Sequence, residues 1–223
     1  MPEQRALMLR TCNADMTAYG GFVWPEEGYV ECPDWDPAPR CGHGLHGFLW
    51  GEGDSSLASW DEDAKWLVVE FVLGEEVDLN GEKIKVPRGW VVPIAKDRQT
   101  ATRYIADNGG AGKAIIGFLS TAGYRGTATA GYRGTATAGD YGTATAGDYG
   151  TATAGDYGTA TAGYHGTATA GYHGTATAGE GGELRIRWWN GRYRTAVAYV
   201  GEDGIKVNTA YRLNKCGIFV EVA

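Results

Sequence analysis

The sequence predicts a mainly β protein: a small α+β N-terminal domain, a two-sided β-solenoid of 16-residue coils, and a C-terminal β-hairpin cap. Three observations carry this. An octad, Gly-x-x-Gly-Thr-Ala-Thr-Ala, repeats seven times without a gap from Gly123 to Ala178. Ahead of it lie short apolar runs separated by turn residues. Behind it, two aromatic-rich runs flank Asn190-Gly191. The boundaries are 1–119, 120–182 and 183–223. Hydrophobic content of 43% with 21% charged residues is that of a globular chain, which excludes wholesale disorder.

The first segment reads as strands at Ala6–Thr11, Trp66–Leu73, Val77–Leu79, Lys83–Val86 and Trp90–Ile94. Asn80-Gly81 joins two of them as a hairpin turn. One helix is expected over Asp97–Ala106, after Pro93 and before Asn108-Gly109-Gly110, with a helical turn near Ser55–Trp60. This mixture is an α+β domain.

The array follows from its own chemistry. Two glycines per octad and no large apolar residue at helical spacing rule out an amphipathic helix. Thr-Ala-Thr-Ala alternates with period two, as a strand does, and Gly-x-x-Gly supplies a turn. Two octads make the smallest closed coil, so the array forms about four coils, with Gly179-Glu180-Gly181-Gly182 as a decayed eighth copy. A three-sided coil of 24 residues would leave too few layers to stack. With Ala pointing in and Thr pointing out, the two sheets lie closer than the roughly 10 Å usual for larger side chains. Ile115-Ile116-Gly117-Phe118-Leu119 and Leu184-Arg185-Ile186-Arg187-Trp188-Trp189 are the candidate caps.

The variable pair of each octad then stacks with a 16-residue period. One edge carries Tyr124-Arg125, Asp140-Tyr141, Asp156-Tyr157 and Tyr172-His173. The other carries Tyr132-Arg133, Asp148-Tyr149 and Tyr164-His165. Coils are about 4.8 Å apart, so the tyrosines stack along each edge. These ladders either rigidify the turns or form a docking or self-association surface, since Tyr is enriched at interfaces. As binding residues they give Tyr124, Tyr132, Asp140, Tyr141, Asp148, Tyr149, Asp156, Tyr157, Tyr164 and Tyr172.

The four cysteines are Cys12, Cys32, Cys41 and Cys216. Their irregular spacing, and an N-terminus without a basic region ahead of an apolar run, predict reduced thiols in a bacterial cytoplasm. Cys32, Cys41, His43 and His46 are a candidate zinc set, although their spacing matches no familiar finger. The competing reading is a Gly-rich turn with one packed Cys. No other cofactor is implied.

Charge is uneven. Residues 1–119 carry 11 basic and 19 acidic side chains, net −8, and the segment from 183 is net +3. A net charge of −7 argues against direct nucleic-acid binding on electrostatic grounds. The acidic patches Glu26-Glu27, Asp34 with Asp36, and Asp61-Glu62-Asp63 are either a solvated face or a surface for a basic partner. No apolar stretch reaches the roughly 20 residues of a membrane helix. Arg185, Arg187, Arg192 and Arg194 interleave with Trp188, Trp189 and Tyr193, a pattern of single-strand binders, but the hairpin signal favours a cap.

Two resemblances follow. Ala-Gly-Tyr-Arg-Gly-Thr-Ala-Thr, at 122–129 and onward, resembles the octads of bacterial ice-nucleation proteins, which pair into 16-residue coils with a tyrosine ladder. That likeness implies the coil geometry, and it implies that nucleation belongs to very long arrays. The full layout resembles a phage and prophage family with an uncharacterised N-terminal domain before such an array. It is carried by Gly21-Phe22-Val23-Trp24-Pro25, Cys41-Gly42-His43-Gly44-Leu45-His46-Gly47, the array, and Gly201-Glu202-Asp203-Gly204-Ile205. It implies a non-enzymatic interaction or scaffold protein that binds a host protein or complex, such as an inhibitor of a bacterial defence complex. Two alternatives stand beside it. Outward Thr rows suit an ice-binding or water-ordering solenoid. The Cys41–His46 turn, with Arg10 and Glu70, suits a small enzyme, and Leu45-His46 after glycines resembles ADP-ribosyltransferase-like folds, an analogy that assigns no residue a role. Nucleophile-elbow, phosphate-loop and His-Glu-x-x-His motifs are absent from the sequence.

Overall fold

The computed structural model describes residues 4–222 and divides into two units between Ile116 and Gly117. In the first unit, β1 (Arg5–Cys12), β2 (Gly28–Glu31), β3 (Leu45–Leu49), β4 (Lys65–Val72), β5 (Val77–Leu79), β6 (Lys83–Val86) and β7 (Arg88–Val91) form one sheet in the order β2-β7-β4-β1-β3-β6-β5. Neighbouring strands in it are antiparallel. Strands β1 and β4 sit at the centre and pair over eight residues. Ala6 to Leu9 and Trp66 to Val69 are buried without alternation, because both faces of this central pair are covered.

Helix α1 (Arg98–Asp107) packs on β4 and β1 through Ala101, Thr102 and Ile105. Asp97 caps it, accepting from Thr100 N at 2.9 Å. The helix stops where Gly110 N donates back to Ile105 O. Between β5 and β6, Asn80 (φ 59°) and Gly81 (φ 74°) both sit in the left-handed region, as a type I′ hairpin turn requires. The Ser55–Trp60 turn is a 3-10 turn over Ser55–Leu57. Two strands were not expected: β2 and β3 are short and interrupted by glycine and polar residues, so their alternation is too brief to show. His46 therefore lies on a strand, opposite Lys85 in register, rather than in a Gly-rich turn.

The second unit is the solenoid. Its first sheet holds β8 (Leu119–Ala122), β10 (Thr135–Ala138), β12 (Thr151–Ala154), β14 (Thr167–Ala170), β16 (Glu183–Trp189) and β17 (Tyr193–Tyr199). The second holds β9 (Thr127–Ala130), β11 (Thr143–Ala146), β13 (Thr159–Ala162), β15 (Thr175–Ala178), β18 (Tyr211–Leu213) and β19 (Phe219–Glu221). Successive repeat strands alternate between the sheets, and within a sheet they pair in parallel at an offset of 16 residues, Thr on Thr and Ala on Ala. The coil is two-sided, and Leu119-Ser120-Thr121-Ala122 is an additional degenerate rung.

Both alanines of every repeat strand are buried, and together they form the core of this unit. Opposing strands β10 and β11 bring Cα atoms within 8 Å of each other, inside the usual separation of sheets with larger side chains. At the C-terminal end the alanines give way to Leu184 and Ile186, both fully buried. There the parallel stack ends on antiparallel strands: β17 pairs with β16, and β18 pairs with β15. A strand laid antiparallel on each sheet covers an edge that would otherwise accept another chain.

The alanine core leaves no room for added volume. Ala152→Leu is expected to lower the stability of the solenoid by about 1–3 kcal/mol through overpacking, whereas the outward Thr153→Ser stays within roughly 0.5 kcal/mol. Differential scanning calorimetry of the full chain reads both.

Candidate functional site

Two surfaces of the solenoid and one cavity of the first unit gather the residues of interest. On the second solenoid sheet, Thr127, Thr143, Thr159 and Thr175 align in one row and Thr129, Thr145, Thr161 and Thr177 in a second. The first sheet carries the shorter rows Thr135, Thr151, Thr167 and Thr137, Thr153, Thr169, the latter extended by Thr121. Rows on one face are about 7 Å apart and rungs about 4.8 Å apart, which makes each face a flat lattice of hydroxyl and methyl groups. The cap defines where the rows stop. Glu183 and Arg185, ion-paired at 2.9 Å, take the next row positions on the first sheet. On the second, Arg212 Nε donates to Thr175 Oγ1 at 2.7 Å and that threonine is buried.

The edges show why the turns vary. The second residue of each variable pair, from Arg125 to His173, has φ between 49° and 59°. Each turn is closed by a Gly-to-Gly hydrogen bond, such as Gly158 N to Gly155 O at 3.1 Å. Backbone bonds run on between coils through the turns, as from Tyr141 N to Asp156 O at 2.8 Å. The tyrosines form the expected ladders. Tyr141 stacks on Tyr157 at 5.0 Å between ring centres, and Tyr124 meets Tyr141 edge-on at 5.7 Å. Tyr157 meets Tyr172 edge-on at 6.3 Å. On the opposite edge Tyr149 lies between Tyr132 at 5.5 Å and Tyr164 at 5.6 Å.

The three aspartates do something that spacing alone does not reveal. Asp140 Oδ1 accepts from Asp156 N at 2.8 Å, Asp148 Oδ1 from Tyr164 N at 2.8 Å, and Asp156 Oδ1 from Tyr172 N at 2.7 Å. Each carboxylate thus satisfies a backbone donor one coil further on. The fit is close: a Cβ on Gly155 would lie 2.3 Å from Asp140 Oδ1 and 2.6 Å from the backbone Asp140 N, so the first glycine of that turn is required. The signal in the sequence was the run of three Asp-Tyr pairs at a constant offset of eight.

The candidate zinc residues do not converge. Cys32 Sγ faces Asp34 Oδ1 at 3.2 Å, and His43 Nδ1 faces Asp34 Oδ2 at 2.7 Å. Cys41 Sγ accepts from Lys83 Nζ at 3.4 Å, and His46 Nε2 accepts from Gly42 N at 3.3 Å. Among the described residues no group of three His, Cys, Asp or Glu side chains is placed to hold one ion. The reason is topological: His46 is fixed on β3 while Cys41 and His43 lie on the loop before it. All four instead line a cavity of about 660 Å³, together with Arg10, Phe22 and Trp24. Glu70, the other suggested companion, is ion-paired to Arg5 at 2.9 Å. Burial lowers the His46 pKa to about 4, helped by the positive charges of Lys83, Arg10 and Lys85.

Comparison with known proteins gives two kinds of match. Residues 6–96 match a family described as Domain of unknown function (DUF7666). The chain is 44% identical over 109 residues to an ice nucleation protein of Pseudomonas fluorescens, covering 48% of this chain and 9% of that protein. It is 39% identical over 95 residues to one of Pantoea ananas, 42% of this chain and 9% of that protein. It is 37% identical over 107 residues to one of Pseudomonas syringae, again 48% and 9%. The chain therefore spans less than a tenth of the length of these relatives. The array resembles ice-nucleation repeats. No solved structure matches the chain. These relatives overturn the expectation of a phage-type protein that binds a host macromolecule and inhibits a defence complex, because ice nucleation proteins stand where that reading called for proteins of that kind.

Two outcomes follow from this geometry. Asp148→Ala removes the acceptor of Tyr164 N and is expected to cost about 1 kcal/mol, while Asp148→Asn keeps an acceptor oxygen and costs less; urea midpoints of the array transition distinguish them. His46 is held neutral in the fold, so between about pH 6.5 and 4 the unfolded chain binds the extra proton and stability falls as pH falls. His46→Gln should remove on the order of 1–2 kcal/mol of that loss between pH 7.5 and 5, read from tryptophan fluorescence during urea unfolding.

Proposed function

We propose that the solenoid is an ice-binding, water-ordering surface and that its working face is the second sheet, with the Thr127-to-Thr159 and Thr129-to-Thr177 rows. The observation that carries this is the in-register alignment of outward threonines on successive coils, three rungs deep in one row and four in the other, on a chain whose named relatives are ice nucleation proteins. A threonine lattice suits ice for two reasons. Its hydroxyls hold water at fixed positions, and its methyls keep those waters from being bound too strongly to join a crystal. Rigidity matters equally, and it comes from the backbone ladders, the packed alanines and the stacked edges. The size of the face limits the effect. Four rungs span about 15 Å, so the surface engages existing ice rather than nucleating it as a very long array would.

The test is thermal hysteresis and inhibition of ice recrystallisation by the full chain. Concentration-dependent hysteresis is expected, and Thr143→Lys with Thr159→Lys should abolish it without lowering the melting temperature of the solenoid. The same double change at Thr151 and Thr167, on the opposite sheet, should leave most of it. Absence of both activities in folded protein at millimolar concentration would reject the proposal.

A further inference from the structure

The cavity of the first unit has a chemical character opposite to that of the segment around it. Residues 1–119 are strongly acidic, yet the side chains that meet at this cavity include Arg10 and Lys83, with Asp34 as the carboxylate among its lining residues. Asp34 is already engaged by His43 and Cys32. Lys85 adds a third positive charge nearby; fully buried on β6, it is held by the carbonyls of Arg40 and Gly42 at 2.9 and 3.2 Å.

Arg10 is the unusual member. It is largely withdrawn from solvent on the central strand β1, and among the described residues its side chain has neither an ion pair nor a hydrogen bond; its guanidinium lies 5.7 Å from the centre of the Trp24 ring. The buried Nε of Arg10 and the Nε1 of Trp24, a side chain only 3% exposed, are both donors without an acceptor. With its Nε closed off from solvent and the rest of the side chain reaching the cavity, this half-buried guanidinium has no carboxylate to balance it, and a cation in such a place is ordinarily matched by an anion. Beside these donors stand apolar walls, chiefly Phe22 and the Trp24 ring, which meet edge-on at 5.5 Å. His46 is neutral and adds no competing positive charge. The volume, about 660 Å³, is in the range of small-molecule sites.

We propose that this cavity binds a small organic anion, its carboxylate or phosphate group against Arg10 and Lys83 and its apolar body against Phe22 and Trp24. The charge is matched by a planar fork suited to two acceptor oxygens, and the apolar wall selects an organic body over a bare ion. The site is separate from the threonine face and does not depend on it.

The experiment titrates the isotope-labelled full chain with benzoate, phenyl phosphate, inorganic phosphate and uncharged benzyl alcohol, following the Arg10 Nε–H and Trp24 Nε1–H resonances. Saturable shifts of both are expected with benzoate or phenyl phosphate, and the stronger of the two names the anionic group. Benzyl alcohol and inorganic phosphate should each bind at least about tenfold more weakly. Arg10→Gln should abolish the shift at Trp24. Lys83→Gln, outside the central strands, should weaken binding about three- to tenfold in a chain whose other resonances are unmoved. No saturable shift with either aromatic anion at millimolar concentration would overturn the proposal. So would equal binding of benzyl alcohol, which removes the anion, or of inorganic phosphate, which removes the organic body.

Discussion

The solenoid depends on one constraint: its interior is only two methyl groups deep. Each repeat strand turns Ala inward at both of its inner positions, and the strand across from it does the same. Close approach of the two backbones follows, as does a coil of fixed length. Alanine buries little apolar area, about a third or less of what Leu would, so the core alone is a weak source of stability. The parallel ladders and the turn-to-turn bonds between coils make up the rest, and both require that every coil repeat the one before it. Strict repetition in the sequence is thus a mechanical need of a thin core. Positions that face outward at the turns escape it, and those are where the copies differ.

Threonine rows and tyrosine edges are two results of that geometry. With the inward positions occupied by Ala, the alternate positions point out on a pleat whose spacing is set by backbone hydrogen bonding. Nothing on the face is adjustable except side-chain identity, and Thr suits a strand while offering both a hydroxyl and a methyl. At the turns, left-handed backbone at a non-glycine residue is disfavoured, yet seven of them occur in succession. Ring stacking between coils, and the aspartate oxygens that accept from the next coil, offset that strain.

The array was legible because its signals are local and repeated. A period of eight with two-residue alternation fixes strand, turn, coil and facing at once, and Asn190-Gly191 marked the cap hairpin. The degenerate rung at Leu119–Ala122 escaped notice because only its last two residues keep the Thr-Ala text. In the first unit the long apolar strands and the capped helix were readable, while β2 and β3 were not, since their pairing with β7 and β6 is decided by tertiary contacts. The Cys32–His46 cluster shows the limit of spacing as a guide. Closeness in sequence placed its members around one cavity, but strand direction separated their donor atoms. Arg10, which gives that cavity its character, was readable as a strand companion of the Cys41–His46 turn, but nothing in the sequence marks its lack of a carboxylate partner.

The cap has a consequence for how such a chain changes length. Strand β16 continues the first sheet and β18 closes the second, so each closing segment is fitted to one side of the coil. Adding or losing two octads preserves that match, because sixteen residues return the chain to the same side. A single octad would deliver the last repeat strand to the wrong sheet and present each closing segment with the other's partner. Array lengths that keep both closures matched are therefore quantised in pairs of octads, and the number of rungs grows in whole coils.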